Sequence, residues 1–241
     1  MKKERIGIIG YGRWAKVMVP TINKYFKVDF IITSNFNYKL IDLKKIKWVF
    51  VITNNQSHYD IVKYFLKKKM KVFCEKPLTQ SLKLSKELYA LTDKYKTKLY
   101  VNDVEFFKNK SIILKKKNFI QRQKKSDRSK ISLLFRLAYH DFYLLKDRIN
   151  LKEIKDIKIF ETKKKLNISF KVERQTFEFF YRIDSLDKIH KINSLNLLRI
   201  QKKPLDIMFK KLSRNKINFY ENKNRTLFSS EIISILQKKY I

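Results

Sequence analysis

Four short clusters in this chain combine residue types that could do chemistry. The first is Gly10-Tyr11-Gly12-Arg13-Trp14-Ala15, a G-x-G-x-x-A turn directly after the apolar run Ile6, Ile8, Ile9. A strand that feeds such a turn and then a helix makes a pyrophosphate cradle. Gly10 permits the tight turn and Gly12 lets the backbone approach a phosphate. Small Ala15 lets the helix pack on its strand, and the helix N-terminus presents free N–H groups. All three glycines of the 241 residues fall within the first twelve positions, so the chain keeps glycine where this turn needs it.

The second cluster is Thr53-Asn54-Asn55-Gln56-Ser57-His58, the third Glu75-Lys76-Pro77, and the fourth Leu137-Ala138-Tyr139-His140-Asp141. Histidine titrates near neutral pH and can take or give a hydroxyl proton, and a lysine can stabilise a developing alkoxide. The first 104 residues alternate short apolar strands with helical stripes. The strands are expected at Arg5–Ile9, Val28–Thr33, Trp48–Thr53, Lys71–Cys74 and Lys98–Val101, with helices over Gln56–Lys69 and Ser81–Tyr95. This alternation predicts an α/β fold, a doubly wound parallel sheet of Rossmann type, with clusters two and three at strand ends that line a crevice. Pro20 predicts a kink in the first helix.

Residues 105–130 are polar and basic and read as a connection, or a short helix with a loop. Residues 131–241 predict a smaller α+β domain. It has a helix over Ile131–Arg148, strands at Leu166–Val172, Thr176–Ile183 and Ile189–Leu195, a turn at Asp184-Ser185, and closing helices at Pro204–Leu212 and Ser229–Lys239. Its sheet is expected to be largely antiparallel and open on one face. His190, between lysines, is expected at the surface, and Cys74 as small core filler.

The motifs G-x-G-x-x-A, T-x-N-x-x-H and E-K-P, in this order and spacing, resemble the Gfo/Idh/MocA family, that of glucose–fructose oxidoreductase and inositol dehydrogenase. The opening turn is similar to the G-x-G-x-W-G of members tied to sugar-nucleotide and surface-polysaccharide pathways, and residues 137–141 to their L-A-P-H-D segment. The resemblance implies an NAD(P)-dependent oxidoreductase acting on the carbinol or carbonyl carbon of a sugar or sugar nucleotide. Gly10, Gly12, Arg13, Trp14 and Ala15 would surround the pyrophosphate. Thr53, Asn55 and His58 would lie beside the riboses, with Glu75 also at the cofactor. Lys76 would reach the nicotinamide ribose and the substrate, and His140 would be the acid/base. Arg136 and Asp141 would meet the substrate.

Two departures stand out: Asn54 replaces the usual proline, and Arg136 occupies the slot of the family aspartate four residues before the histidine. The second domain is also expected to be shorter than in the family. The second strand ends in Thr33-Ser34-Asn35-Phe36 without a carboxylate, and Asp29 falls too early to hold a ribose. Ser34 and Asn35, with Lys39 nearby, could accept a 2′-phosphate, so NADP is expected slightly ahead of NAD.

The formal net charge is +35, from 57 basic and 22 acidic residues. Of the basic residues 46 are lysine, spread along the chain, whereas groove readers favour arginine's fork. The excess therefore reads mostly as a solvated surface, and no specific nucleic-acid partner is expected. One cysteine excludes a disulfide framework and a cysteine-rich metal site, and no metal is expected. The absence of an apolar stretch of ~18 residues predicts a cytoplasmic protein off the membrane. A homodimer through the second sheet is expected by analogy only. Two other readings stay open: a cofactor binder without turnover, suggested by Arg136, and a nucleic-acid binder supported by charge alone.

Overall fold

Successive residues of a strand point to opposite sides of a sheet, and the first strands here are apolar on both sides. In β1 (Arg5–Ile9), Ile6 and Ile8 join one core cluster while Ile9 joins another. In β3 (Trp48–Val51), Trp48 and Phe50 face the first cluster and Val49 and Val51 the second. Such strands need helices on both faces. Helix α1 (Arg13–Tyr25) supplies Ala15, Met18 and Ile22 on one side. Helices α2 (His58–Lys67) and α3 (Leu82–Lys94) supply Val62, Phe65, Leu66 and Leu88 on the other. With β2 (Lys27–Ile32), β4 (Lys71–Cys74) and β5 (Leu99–Val101) they form a five-stranded sheet, ordered β2-β1-β3-β4-β5. Every pairing in it is parallel. The order reverses between β1 and β3, which opens a crevice beyond their C-terminal ends.

These features come from a computed structural model that describes residues 2–33, 37–108, 111–125, 131–199 and 203–239. The chain divides into two compact units, Met1–Phe107 with Lys203–Leu227, and Lys108–Lys202 with Phe228–Ile241. Helix α5 (Pro204–Ser213), expected with the second half of the chain, instead packs Met208, Phe209 and Leu212 into the first unit's core. Pro20 lies within α1, whose helix continues to Tyr25.

The second unit holds a six-stranded mixed sheet ordered β11-β10-β6-β9-β8-β7. Strands β8 (Lys165–Val172) and β9 (Gln175–Arg182) lie within one residue of their expected bounds, whereas β10 (Asp184–Ile192) begins five residues before the expected Ile189 and ends at Ile192. Two strands were not expected. β6 (Lys117–Lys125), inside the stretch read as connection or short helix, sits between β10 and β9, parallel to β9. β7 (Ile154–Glu161) is an edge strand with a register shift between Lys155 and Lys158. Asp184 and Ser185, expected as a turn, begin β10, where Asp184 pairs with Lys125; β11 (Leu195–Asn196) is separate.

The expected single helix over Ile131–Arg148 is three pieces: a π-helical turn over Leu134–Ala138, α4 (Tyr139–Leu145) and a 3-10 turn over Lys146–Arg148. Helix α6 (Phe219–Lys238) begins ten residues before Ser229. Among the described residues no helix is long and apolar enough to cross a membrane.

Candidate active site

The glycine turn is built as its residue types require. Gly10 has φ +98°, a left-handed conformation that side chains resist, and a Cβ there would stand 2.5 Å from the Ile52 carbonyl oxygen. The close approach arises because the Gly10 N–H donates to Ile32 at 2.7 Å while Ile52 N donates to Ile9 at 2.8 Å, drawing three strand ends together. Gly12 is different. It caps α1 in extended conformation with no side-chain cap, no acidic residue follows in the first turn, and a Cβ there would meet nothing within 4 Å. The helix N-terminus is therefore uncapped beside open space, the arrangement a pyrophosphate fills. Ala15 is fully buried, as the packing argument expects.

Trp14, half-exposed in the first turn of α1, donates from Nε1 to Glu75 Oε1 at 2.6 Å. Glu75 also accepts from Asn102 Nδ2 and from the backbone N–H of Lys76, the latter to Oε2 at 3.1 Å. Glu75 and Asn102 extend the sheet beyond its strands, through Glu75 N to Val51 and Asn102 N to Cys74. Burial pushes the Glu75 carboxyl above its ordinary range, against the pull of Asn102, the Lys76 charge and Trp14. Trp14 and Glu75, placed at the cofactor by the sequence, thus tie the phosphate turn to the Glu75-Lys76-Pro77 segment. Lys76 is half-buried, and its peptide bond to Pro77 is cis.

His58 is buried at the start of α2. Its Nδ1 lies 2.9 Å from the Pro77 carbonyl and its Nε2 3.2 Å from that of Thr53. Both ring nitrogens thus face protein backbone, and burial lowers the imidazole pKa despite those carbonyls. The ring joins cluster two to cluster three. Asn54, in the place of the family proline, accepts from Ser57 N at 3.2 Å and so starts the helix in another way. Asn55 Nδ2 is shielded and has no hydrogen-bond partner among the described residues, an orphaned donor beside the crevice. With the open Gly12 turn, it shows that the residues present fit a dinucleotide.

Asp29 is held by Arg5, Nε to Oδ2 2.5 Å, in the interior of β2. Ser34 and Asn35 lie outside the described residues.

In the second unit, Leu133–Tyr143 is buried except at Arg136 and His140, which are half-buried four residues apart on one stripe. Asp141, expected to meet substrate, is fully buried and takes His190 Nε2 at 2.7 Å. His190 is therefore not at the surface: it is 2% exposed, on the core side of β10. Sequence reasoning missed this pair because the neighbouring lysines Lys188 and Lys191 suggested solvent, whereas only strand alternation fixes the inward face. Cys74 is buried, as expected of core filler.

Residues 25–103 match the profile of an oxidoreductase family with an NAD-binding Rossmann fold, Gfo/Idh/MocA. This segment, about a third of the chain, is similar to the cofactor-binding part of that family. The match begins beyond the glycine turn, so the similarity over residues 25–103 and the geometry of Gly10–Ala15 are independent observations. A comparison with curated proteins finds no match.

Solved structures share the fold. UDP-N-acetylglucosamine 3-dehydrogenase GnnA from Acidithiobacillus ferrooxidans superposes with a TM-score of 0.80 at 10% identity, over 98% of this chain and 98% of that one. The dehydrogenase MviM from Clostridium difficile gives 0.77 at 18% identity, over 99% and 100%. The WlbA (WbpB) dehydrogenase from Thermus thermophilus, in complex with NAD and UDP-GlcNAcA, gives 0.70 at 12%, over 95% and 94%.

Proposed function

We propose that this oxidoreductase transfers a hydride between a bound nicotinamide dinucleotide and a sugar-nucleotide carbon bearing a hydroxyl or carbonyl. The observation that carries the proposal is the uncapped α1 N-terminus at Gly12, tied by the Trp14–Glu75 bond to the segment holding Lys76. The sugar-nucleotide class is supported by two proteins of the same fold, one named a UDP-N-acetylglucosamine 3-dehydrogenase and one bound to UDP-GlcNAcA.

Gly10, Gly12, Arg13 and Ala15 hold the pyrophosphate, and Thr53 and Asn55 border the ribose. His58 and Glu75 serve that site by fixing its loops. The nicotinamide supplies or accepts the hydride. Lys76 donates a hydrogen bond to the substrate oxygen as negative charge grows there. His140 takes the hydroxyl proton in oxidation and returns it in reduction. With Asp29 committed to Arg5, no described carboxylate at the end of β2 is placed to hold the ribose hydroxyls, which supports NADP over NAD. By analogy with related folds, two copies pair through the open face of the second sheet, and sedimentation equilibrium at micromolar concentrations tests this.

Calorimetric titration with NAD, NADH, NADP and NADPH tests the base of the proposal, and binding of none of them sinks it. Tighter binding of the NAD forms overturns the NADP preference alone. A panel of UDP-sugars, followed by absorbance of the reduced nicotinamide, then tests turnover, and His140→Ala should abolish it.

A second reading rests on Arg136, which shares the open stripe with His140: the chain binds cofactor without turning over. Activity that appears only in Arg136→Asp supports that reading, and wild-type turnover eliminates it. If Arg136 instead clamps a substrate anion, Arg136→Ala raises KM for an acidic sugar nucleotide and leaves cofactor affinity unchanged.

A further inference from the structure

The second sheet carries one polar row where its neighbour is apolar. On the core side, Ile192, Ile120 and Phe179 are register partners across β10, β6 and β9, and all three are buried. Two residues along, the partners are His190, Arg122 and Tyr181. Asp141 of α4 meets this row, with Oδ1 2.7 Å from His190 Nε2, at 0% and 2% exposure. Burial first, and the Asp141 charge second, push the Tyr181 hydroxyl pKa well up, while Arg122 pulls it down.

Polar groups brought into a core carry a desolvation cost, so a row of them under one helix marks a position that must be held. We infer that the His190–Asp141 pair, set in the His190–Arg122–Tyr181 row, is the positioning device for His140. The inference rests on the acid/base role given to His140 above. The turn preceding α4 is π-helical, Leu134–Ala138, and the Tyr139 N–H donates to the Leu134 carbonyl, so the chain enters α4 through a wider turn than an α-helical one. The buried His190–Asp141 bond adds a tertiary hold on α4, because the helix cannot rotate or slide without breaking it. His140 is the adjacent residue, about 100° round the helix, and its ring direction follows. A carboxylate acceptor also sets the His190 tautomer, with the proton on Nε2.

The chain has three histidines, His58, His140 and His190, so imidazole 15N–1H NMR resolves each without any ligand. The wild type should show His190 protonated at Nε2. His190→Leu should displace the His140 ring resonances, and His190→Gln, whose amide can still donate to Asp141, should restore them. His58, in the other unit, should be unmoved in both, and an unchanged thermal unfolding transition reports that the second unit is folded. With a sugar nucleotide that turns over, His190→Leu should lower kcat about tenfold or more at unchanged KM, and His190→Gln should recover most of it.

His140 resonances unmoved in His190→Leu, or equally displaced in His190→Gln, overturn the inference. If His190→Leu does not fold, Asp141→Ala replaces it and deletes the acceptor. Unmoved His140 resonances there are equally decisive against it. Full turnover by His140→Ala, by contrast, removes the acid/base role and leaves the NMR coupling standing.

Discussion

At the scale of single residues, the two turn glycines do different jobs and their alanine variants should separate. Gly10→Ala places a Cβ 2.5 Å from the Ile52 oxygen at a positive φ, and should cost about 2 kcal/mol or more of stability by chemical denaturation. Gly12→Ala adds a methyl to open space and should change stability by less than about 1 kcal/mol. It should nonetheless weaken calorimetric NADPH binding about tenfold or more, because the methyl stands where a phosphate approaches. Equal effects of the two on stability would count against the cradle.

His58 gives a pH signature. Its folded pKa is below the ordinary value near 6.5, so the unfolded chain binds more protons than the folded one between the folded pKa and 6.5. Stability should be intact above pH 6.5 and fall as pH drops through that window. Thermal melts of wild type and His58→Asn should converge at low pH, and parallel curves would remove His58 as the cause.

At the scale of elements, the join between α1 and the end of β4 depends on the Trp14–Glu75 bond. Trp14→Phe keeps the ring and deletes the donor, leaving Asn102 and the Lys76 N–H on a buried carboxylate. It should cost about 1–3 kcal/mol in thermal stability and weaken cofactor binding together with it. An unchanged cofactor affinity would show that the bond does not brace the site.

Elements with regular apolar spacing were legible in the sequence: β1 and β4 lie at their expected residues, and β8 within one residue of its expected start. β6 was not, because its core-facing positions are Asn118, Ile120 and Arg122, and polar residues there mimic a connection. Its place between β10 and β9 depends on partners more than 50 residues away. β7 was hidden by its bulge at Asp156, φ +54°, which breaks the period of two.

At the scale of the whole molecule, a formal charge of +35 repels itself. Raising ionic strength from about 0.02 to 0.3 M, which shortens the Debye length several-fold, should raise Tm. A Tm that falls over this range would mean that ion pairs outweigh the repulsion. The same charge should give DNA or RNA binding that collapses across that salt range without sequence preference, as counterion release requires. Sequence preference that survives physiological salt would instead promote the nucleic-acid reading.

The sequence alone determined the parallel sheet, the glycine turn and the motifs that align with a family, since each follows from local spacing and backbone freedom. The same local signals placed Lys76 and His140 as candidates. Only the tertiary structure decided what the polar residues around them do. Trp14 and Glu75 are 61 residues apart and meet at 2.6 Å, and Asp141 and His190 are 49 apart and meet at 2.7 Å. A residue's type states what bonds it can make. Which partner a buried carboxylate finds is set by the strands and helices that close over it.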